Sequence, residues 1–303
     1  MKNFYLFILV LLCWYACAAQ QESQFTQYMY NPMSINPGYT GSREVLTVSS
    51  IYRNQWVGVE GAPETFNFSA HSPLGLTSLA NLGLDFTQDR IGISTQKSFS
   101  VNFAYILPLD RGEDIRLSLG IKAGAENLDL ALHKLTIADI NDPYLANLSE
   151  FSPVLGLGAF LYTDEGYLGV SSPNLLHTKK FNEVSVSTYT NKAHIYFLGG
   201  YVFPLENEVQ LKPAFLIKAV SGAPLAVDLS MNIYFLERWN LGASYRLNAA
   251  FTALAGFRIT DELTLGYAYD YETTTLSKYS SGSHEVFLQF ELWSRYRNRF
   301  RCF

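Results

Sequence analysis

Few residues in this chain are of the kinds, and at the spacings, that carry chemistry. The five histidines, His71, His133, His177, His194 and His284, are scattered without metal-ligand spacing, so the nitrogen and thiolate set that zinc requires is not encoded. No Gly-x-Ser-x-Gly elbow, P-loop or dinucleotide fingerprint occurs, and nucleophilic or nucleotide-dependent reactions lack a starting group. Asp139, Asn141 and Asp142 offer oxygen ligands of the calcium-binding kind, although acidic clusters this short are usually just solvated. The expectation is a protein that is not an enzyme, with no cofactor and no metal.

The elements that hold the remaining polar residues are set by composition. Of 303 residues, 48% are hydrophobic and 15% aromatic but only 16% are charged, against roughly a quarter in soluble domains. So many aromatic side chains exclude disorder. The mean hydropathy of +0.04 is too low for a bundle of membrane helices, so the apolar residues must be spread through the chain.

Lys2, the apolar run from Phe4 to Trp14 and the small residues Ala16, Ala18 and Ala19 have the layout of a secretory leader. Cleavage before Ala19 or Gln20 fits, and Gln20 is taken as the first mature residue. Lipidation at Cys17 would need an aliphatic residue where Trp14 stands. Cys13 and Cys17 leave with the leader, so Cys302 remains alone and no internal disulfide can form. The net charge of −5 conceals an acidic body of about −10, because Arg295, Arg297, Arg299 and Arg301 are gathered at the C-terminus. Such a body argues against nucleic-acid binding, which needs phosphate neutralisation.

Alternation is the dominant pattern. Phe99, Val101, Phe103 and Tyr105 alternate with small or polar residues. So do Leu117, Leu119 and Ile121, and further on Leu225, Val227, Leu229, Met231 and Ile233. Period 2 means strands. They are predicted at roughly 44–57, 64–73, 79–88, 97–108, 114–127, 153–163, 166–172, 192–204, 209–220, 224–236, 238–248, 250–260, 262–272 and 283–293. Short polar connections alternate with longer ones, among them Asp89 to Gln96 and Leu128 to Ser152. An all-β transmembrane outer-membrane barrel of about fourteen antiparallel strands has this asymmetry. A soluble sandwich would also alternate, but the low charge and the loop asymmetry count against it. The expected organisation is a signal peptide over 1–19, a periplasmic extension or plug over 20–43, the barrel over 44–293 and a basic tail over 294–303. Asn31-Pro32 and Asn36-Pro37 break the second of these into successive turns.

The stretch QESQFTQYMYNPMSINPGYTGSREVLTVSSIYRNQWVGVEGAPETFNFSAHSPL from Gln20 to Leu74 resembles the opening of the PorP/SprF family of type IX secretion outer-membrane proteins, found in the Bacteroidota. DRIGIS at Asp89 to Ser94, SSPNLL at Ser171 to Leu176, KPAFLIKAVSGAPLAVDLSMNIYF at Lys212 to Phe235, LGASYR at Leu241 to Arg246, LGYAYDY at Leu265 to Tyr271 and LSKYSSGSHEVFLQF at Leu276 to Phe290 extend the resemblance. It implies an outer-membrane barrel that works with the type IX secretion apparatus. The implied role is in secretion or surface attachment of a partner protein bearing a type B C-terminal sorting domain, in gliding or adhesion. The family pattern stops near Phe290 to Trp293, and the arginine-rich tail departs from it.

With both termini in the periplasm, the odd-to-even connections face outward. Trp56, Glu60, Gly61, Pro63, Arg90, Ser221, Gly222, Pro224, Tyr279 and Ser280 are then the candidates for gripping the partner, with aromatic contact area and glycines that allow close backbone approach. Tight hairpin loops and an interfacial Trp56 are the plainer reading. Arg53, Lys122, Asp228 and Arg246 fall on inward faces, where they line a pore or form a stiffening salt-bridge network. The expected partners are outer-membrane lipid, apparatus proteins and the secreted surface protein. The alternative function is a passive porin for small solutes.

Overall fold

The computed structural model describes residues 24–75, 79–112, 114–131, 148–176, 179–180, 189–190, 192–205, 209–236 and 238–292. The expected leader, the Asp139 to Asp142 cluster and the arginine tail lie outside these residues.

The strands are β1 (Thr47–Asn54), β2 (Glu64–Leu74), β3 (Ala80–Ile91), β4 (Ser94–Pro108), β5 (Arg116–Leu130), β6 (Leu148–Tyr162) and β7 (Gly166–Ser172). They continue with β8 (His194–Tyr201), β9 (Gln210–Val220), β10 (Ala226–Phe235), β11 (Trp239–Arg246), β12 (Ala250–Arg258), β13 (Leu263–Glu272) and β14 (Ser283–Glu291). Phe203–Pro204 prolongs β8 and pairs with β9. Each strand pairs antiparallel with its sequence neighbours, and β14 returns to β1 through a register from Thr47↔Glu291 to Asn54↔His284. The result is a closed fourteen-stranded barrel. Closure is required because hydrocarbon cannot hydrogen-bond a free sheet edge.

The pleat places alternate residues on opposite faces, and the sequence uses this to turn its apolar side outward. On β4, Phe99, Val101, Phe103, Tyr105 and Leu107 are exposed, whereas Ser100, Asn102 and Ala104 are buried. Leu229, Met231 and Ile233 on β10 are likewise exposed, and Asp228, Ser230 and Asn232 face the interior. The solvent for the outer face is lipid, so exposure of these side chains is favourable.

The predicted strands all occur, with one consistent difference. β3 and β4 run beyond their predicted ends and meet at a turn of Gly92 and Ile93, so the expected loop from Asp89 to Gln96 is paired strand, with Asp89↔Gln96 and Arg90↔Thr95 in register. β6 likewise begins at Leu148, inside the expected loop from Leu128 to Ser152. Those extensions are mostly polar because they leave the apolar belt, and a mostly polar stretch has the composition of a loop. The sheet continues without lipid because its ladder supplies the hydrogen bonds. Gly92 takes a φ of +56°, which closes the turn at no steric cost.

An arginine at Phe103 is expected to destabilise the barrel by about 2–4 kcal/mol, and one at Thr95, beyond the belt on the same strand, by about 0–1 kcal/mol. Denaturant unfolding in lipid vesicles checks the contrast; equal costs would contradict the outward orientation of this face.

Candidate functional site: a filled lumen and the loop rim

The segment before β1 lies inside the barrel. Phe25, Tyr28, Met29, Tyr30, Met33 and Tyr39 are buried against the wall, and so are the polar Thr26, Gln27, Asn31, Asn36 and Thr40. The two Asn-Pro pairs start 3-10 turns, Pro32–Ser34 and Pro37–Tyr39. Proline suits the first position of such a turn because its missing N–H would find no partner there. Asn36 caps the second: its Oδ1 accepts from Gly38 N at 2.9 Å, and its Nδ2 donates to Ala159 O on β6 at 3.1 Å.

The wall is hollowed to receive this turn. A Cβ on Gly120 would lie 2.3 Å from Gly38 N, and one on Gly158 would lie 2.1 Å from Asn36 Oδ1. Both glycines are therefore fixed by close approach. Aromatic rings complete the fit, with Tyr30 stacked on Phe287 at 4.4 Å and Tyr39 edge-on to Phe160 at 5.4 Å between centroids.

The start of the segment is tied to a buried ion cluster. Arg53 Nη2 lies 2.6 Å from Asp270 Oδ2, and Arg53 Nη1 lies 3.0 Å from Glu285 Oε2. All three side chains are at most 2% exposed. One guanidinium faces two carboxylates, and their remaining acceptor capacity is shared between the Thr252 hydroxyl of the wall, which donates to Asp270 at 2.7 Å, and the inner segment. Thr26 N and Gln27 N each donate to a Glu285 carboxylate oxygen at 2.8 Å. The Thr26 hydroxyl accepts from Arg53 at 2.7 Å and donates to Asp270 at 2.8 Å. Charge-assisted bonds of this kind are roughly twice as strong as neutral ones.

Arg53, Asp270 and Glu285 stand near the long-loop end of their strands, so the described chain begins high in the lumen and runs down it. Lower contacts are Lys122 Nζ to Ser34 O at 2.8 Å, Ser171 Oγ to Ile35 O at 2.8 Å and Gly41 N to His71 Nδ1 at 3.2 Å. At the short-turn end, Arg43 pairs with Glu291 at 2.6 Å and Glu44 with Arg116 at 2.7 Å.

The four inward residues singled out in the sequence all face the interior, and each has an ionic partner. Arg53 serves the cluster just described. Lys122 is 3.8 Å from Asp85, and Asp228 and Arg246 are joined to each other at 2.7 Å. Asp270, Glu285 and Glu272 were not singled out. The signal that finds them is a carboxylate on the inward parity of an otherwise apolar-alternating strand.

The rim residues divide. Three connections are knitted together: Val57 N donates to Gly282 O at 2.9 Å, Ser281 N to Val57 O at 2.7 Å, and Gly92 N to Gly61 O at 2.9 Å. Trp56, in the left-handed region at φ 48°, turns its indole inward, donating from Nε1 to Glu272 Oε1 at 3.0 Å. Pro63 is buried, and its carbonyl accepts from Gln55 N. These two shape the loop more than they offer surface. Glu60, Gly61, Arg90 and Tyr279 are exposed on one side of the rim, with Ser280 half-buried beside Tyr279. A cleft of about 260 Å³ lies between Val57, Gly58, Gly61, Glu64, Arg90 and Gly92. Ser221, Gly222 and Pro224 are exposed in the β9–β10 connection, separated from that group along the rim by the β11–β12 turn.

Replacing Arg53 by Met leaves two carboxylates buried without their cation, and the barrel is expected to lose about 3–5 kcal/mol. Thermal loss of the compact, heat-modifiable band on gel electrophoresis reads this; an unchanged midpoint would show that the cluster does not hold the fold.

Many solved structures are similar to this chain, and three of them illustrate the likeness. They are the toluene transporter TbuX of Ralstonia pickettii (10% identity over 88% of this chain and 93% of that one, TM-score 0.47), a FadL homologue of Pseudomonas aeruginosa (11% over 87% and 92%, TM-score 0.46) and the CymD monoaromatic hydrocarbon channel (10% over 90% and 94%, TM-score 0.49). No curated protein matches the sequence. The family model for the type IX secretion system membrane protein PorP/SprF matches residues 17–290. With the match spanning the segment inside the barrel and all but the last residue of the wall, this chain belongs to the PorP/SprF family of type IX secretion system membrane proteins.

Proposed function

We propose that this barrel is a non-enzymatic outer-membrane component of type IX secretion that supports export or surface attachment of one partner protein, a gliding or adhesion protein bearing a type B C-terminal sorting domain. In this reading the long connections face outward and the short turns face the periplasm, where the wall begins at Thr47 and ends at Glu291 and where apparatus proteins meet it. The outer rim then presents Glu60, Gly61, Arg90, Tyr279 and Ser280 as one contact surface, with Ser221, Gly222 and Pro224 as a second, separate one.

The observation that carries the reading is the knitted rim. Backbone bonds from Val57 to Gly282 and Ser281, and from Gly61 to Gly92, hold three connections in a fixed relation. A surface fixed before binding loses little entropy when a partner docks. The occupied lumen also counts against steady passive diffusion, since residues 24–46 are seated across the bore from the Arg53 cluster to Glu291.

Co-purification from native membranes tests this. The intact protein is expected to bring down a secreted surface protein together with apparatus components. Tyr279→Ala combined with Arg90→Ala should reduce the secreted partner about tenfold, the loss of one modest contact free energy, and leave the apparatus components in place. Recovery of the intact barrel with neither class of protein would remove the support for a secretory role.

A further inference from the structure

We infer that residues 24–46 form a displaceable gate, and that its release turns the barrel into a water-filled conduit. This is an activity beyond holding a surface partner. A barrel of eight strands is filled by its own side chains, whereas one of sixteen or more leaves an aqueous channel. Fourteen strands are near the second case, and the bore here is closed by a length of chain. That chain is not part of the wall ladder, so it can move without breaking a strand pairing.

Phe25, Tyr28, Met29, Tyr30, Met33 and Tyr39 are buried against the wall, and a second part of the segment's hold is polar. Thr26, Gln27, Asn31 and Ser34 are held by hydrogen bonds to wall side chains. Among the described residues, Thr40 and Ser42 of the segment and Asn102, Ser118 and Asn232 of the wall are buried with side-chain atoms that have no hydrogen-bond partner. A permanent core would be apolar at these positions. Polar groups that face an aqueous bore exchange protein partners for water at little net cost. The edge-on contact of Tyr39 with Phe160 lies toward the end of the segment that leads into β1, which leaves residues 26 and 27 to the Glu285 carboxylate.

That carboxylate is connected to the rim. Glu285 shares Arg53 with Asp270, and Glu272, two residues along the same face of β13, accepts the indole N–H of Trp56 in the knitted loop. Movement of the rim is therefore transmitted to the group that holds Thr26 and Gln27.

Single-channel recording of the purified full-length protein in planar bilayers tests the inference. Wild type is expected to be closed with brief openings. Glu285→Gln keeps the side chain's size but loses a charged acceptor, and Gly120→Ala puts a methyl into the Pro37–Gly38 backbone. Each should raise the open fraction about tenfold, the equivalent of one lost charge-assisted bond. Asn31→Cys with Ser69→Cys, in a Cys302→Ser background, replaces a 3.0 Å side-chain contact by a cross-link. That variant should stay silent until dithiothreitol is added. The inference is overturned if both single variants, shown to be folded by heat-modifiable migration, are as silent as wild type, or if the cross-linked barrel conducts as wild type does. Partner co-purification does not depend on conductance, so the gate and the secretory reading can fail separately.

Discussion

Hydrocarbon offers no hydrogen bonds, and every feature of this molecule follows from that. The wall must close on itself, so β14 has to find β1. Closure with fourteen strands sets a bore wider than side chains can span. The chain meets this by placing its own polar N-terminal stretch inside, where carboxylates, amides and guanidinium groups are surrounded by one another instead of by lipid. The outward face carries Phe, Tyr, Leu and Ile because lipid is their preferred environment, and the inward face is free to carry charge.

The wall was legible in the sequence because its signal has period 2 and repeats many times. Phe99 to Tyr105 and Leu225 to Ile233 announce both their strand character and which residues face out. The strands fade from view where they leave the apolar belt. Asp89, Gln96 and Glu150 sit in regular ladders, yet nothing apolar marks them, since outside the bilayer neither face needs to be greasy. The stretch from Gln20 to Ser42 was ambiguous for a related reason. Its aromatic and polar residues follow no period, because residues 24–42 pack as turns inside a curved wall and meet several different strands. Only the two Asn-Pro turns could be read locally.

The candidate site was half visible. Inward parity identified Arg53, Lys122, Asp228 and Arg246 as lumenal, and Asp228 and Arg246 meet across one hairpin, but Arg53 and its partner Glu285 are 232 positions apart. Parity can place such residues on a face and cannot pair them across it. At the rim, glycines marked the loop positions, while the inward turn of the Trp56 indole depends on Glu272, a residue whose relevance appears only when β14 has paired with both β13 and β1. Trp56 also takes a backbone conformation that a bulky residue rarely adopts, and nothing in its local sequence announces that.

The tie between Thr26 and Glu285 also governs the order in which the molecule can be made. The two residues are separated by 259 positions, and Asp270, the other acidic neighbour of Thr26, belongs to the penultimate strand. Thr26 and Gln27 therefore cannot make these bonds until the final hairpin exists, and contacts of such sequence separation are formed late. Occupation of the interior is thereby a record of successful circular assembly: a barrel that failed to seal would not hold the Glu285 carboxylate in place to receive Thr26 and Gln27.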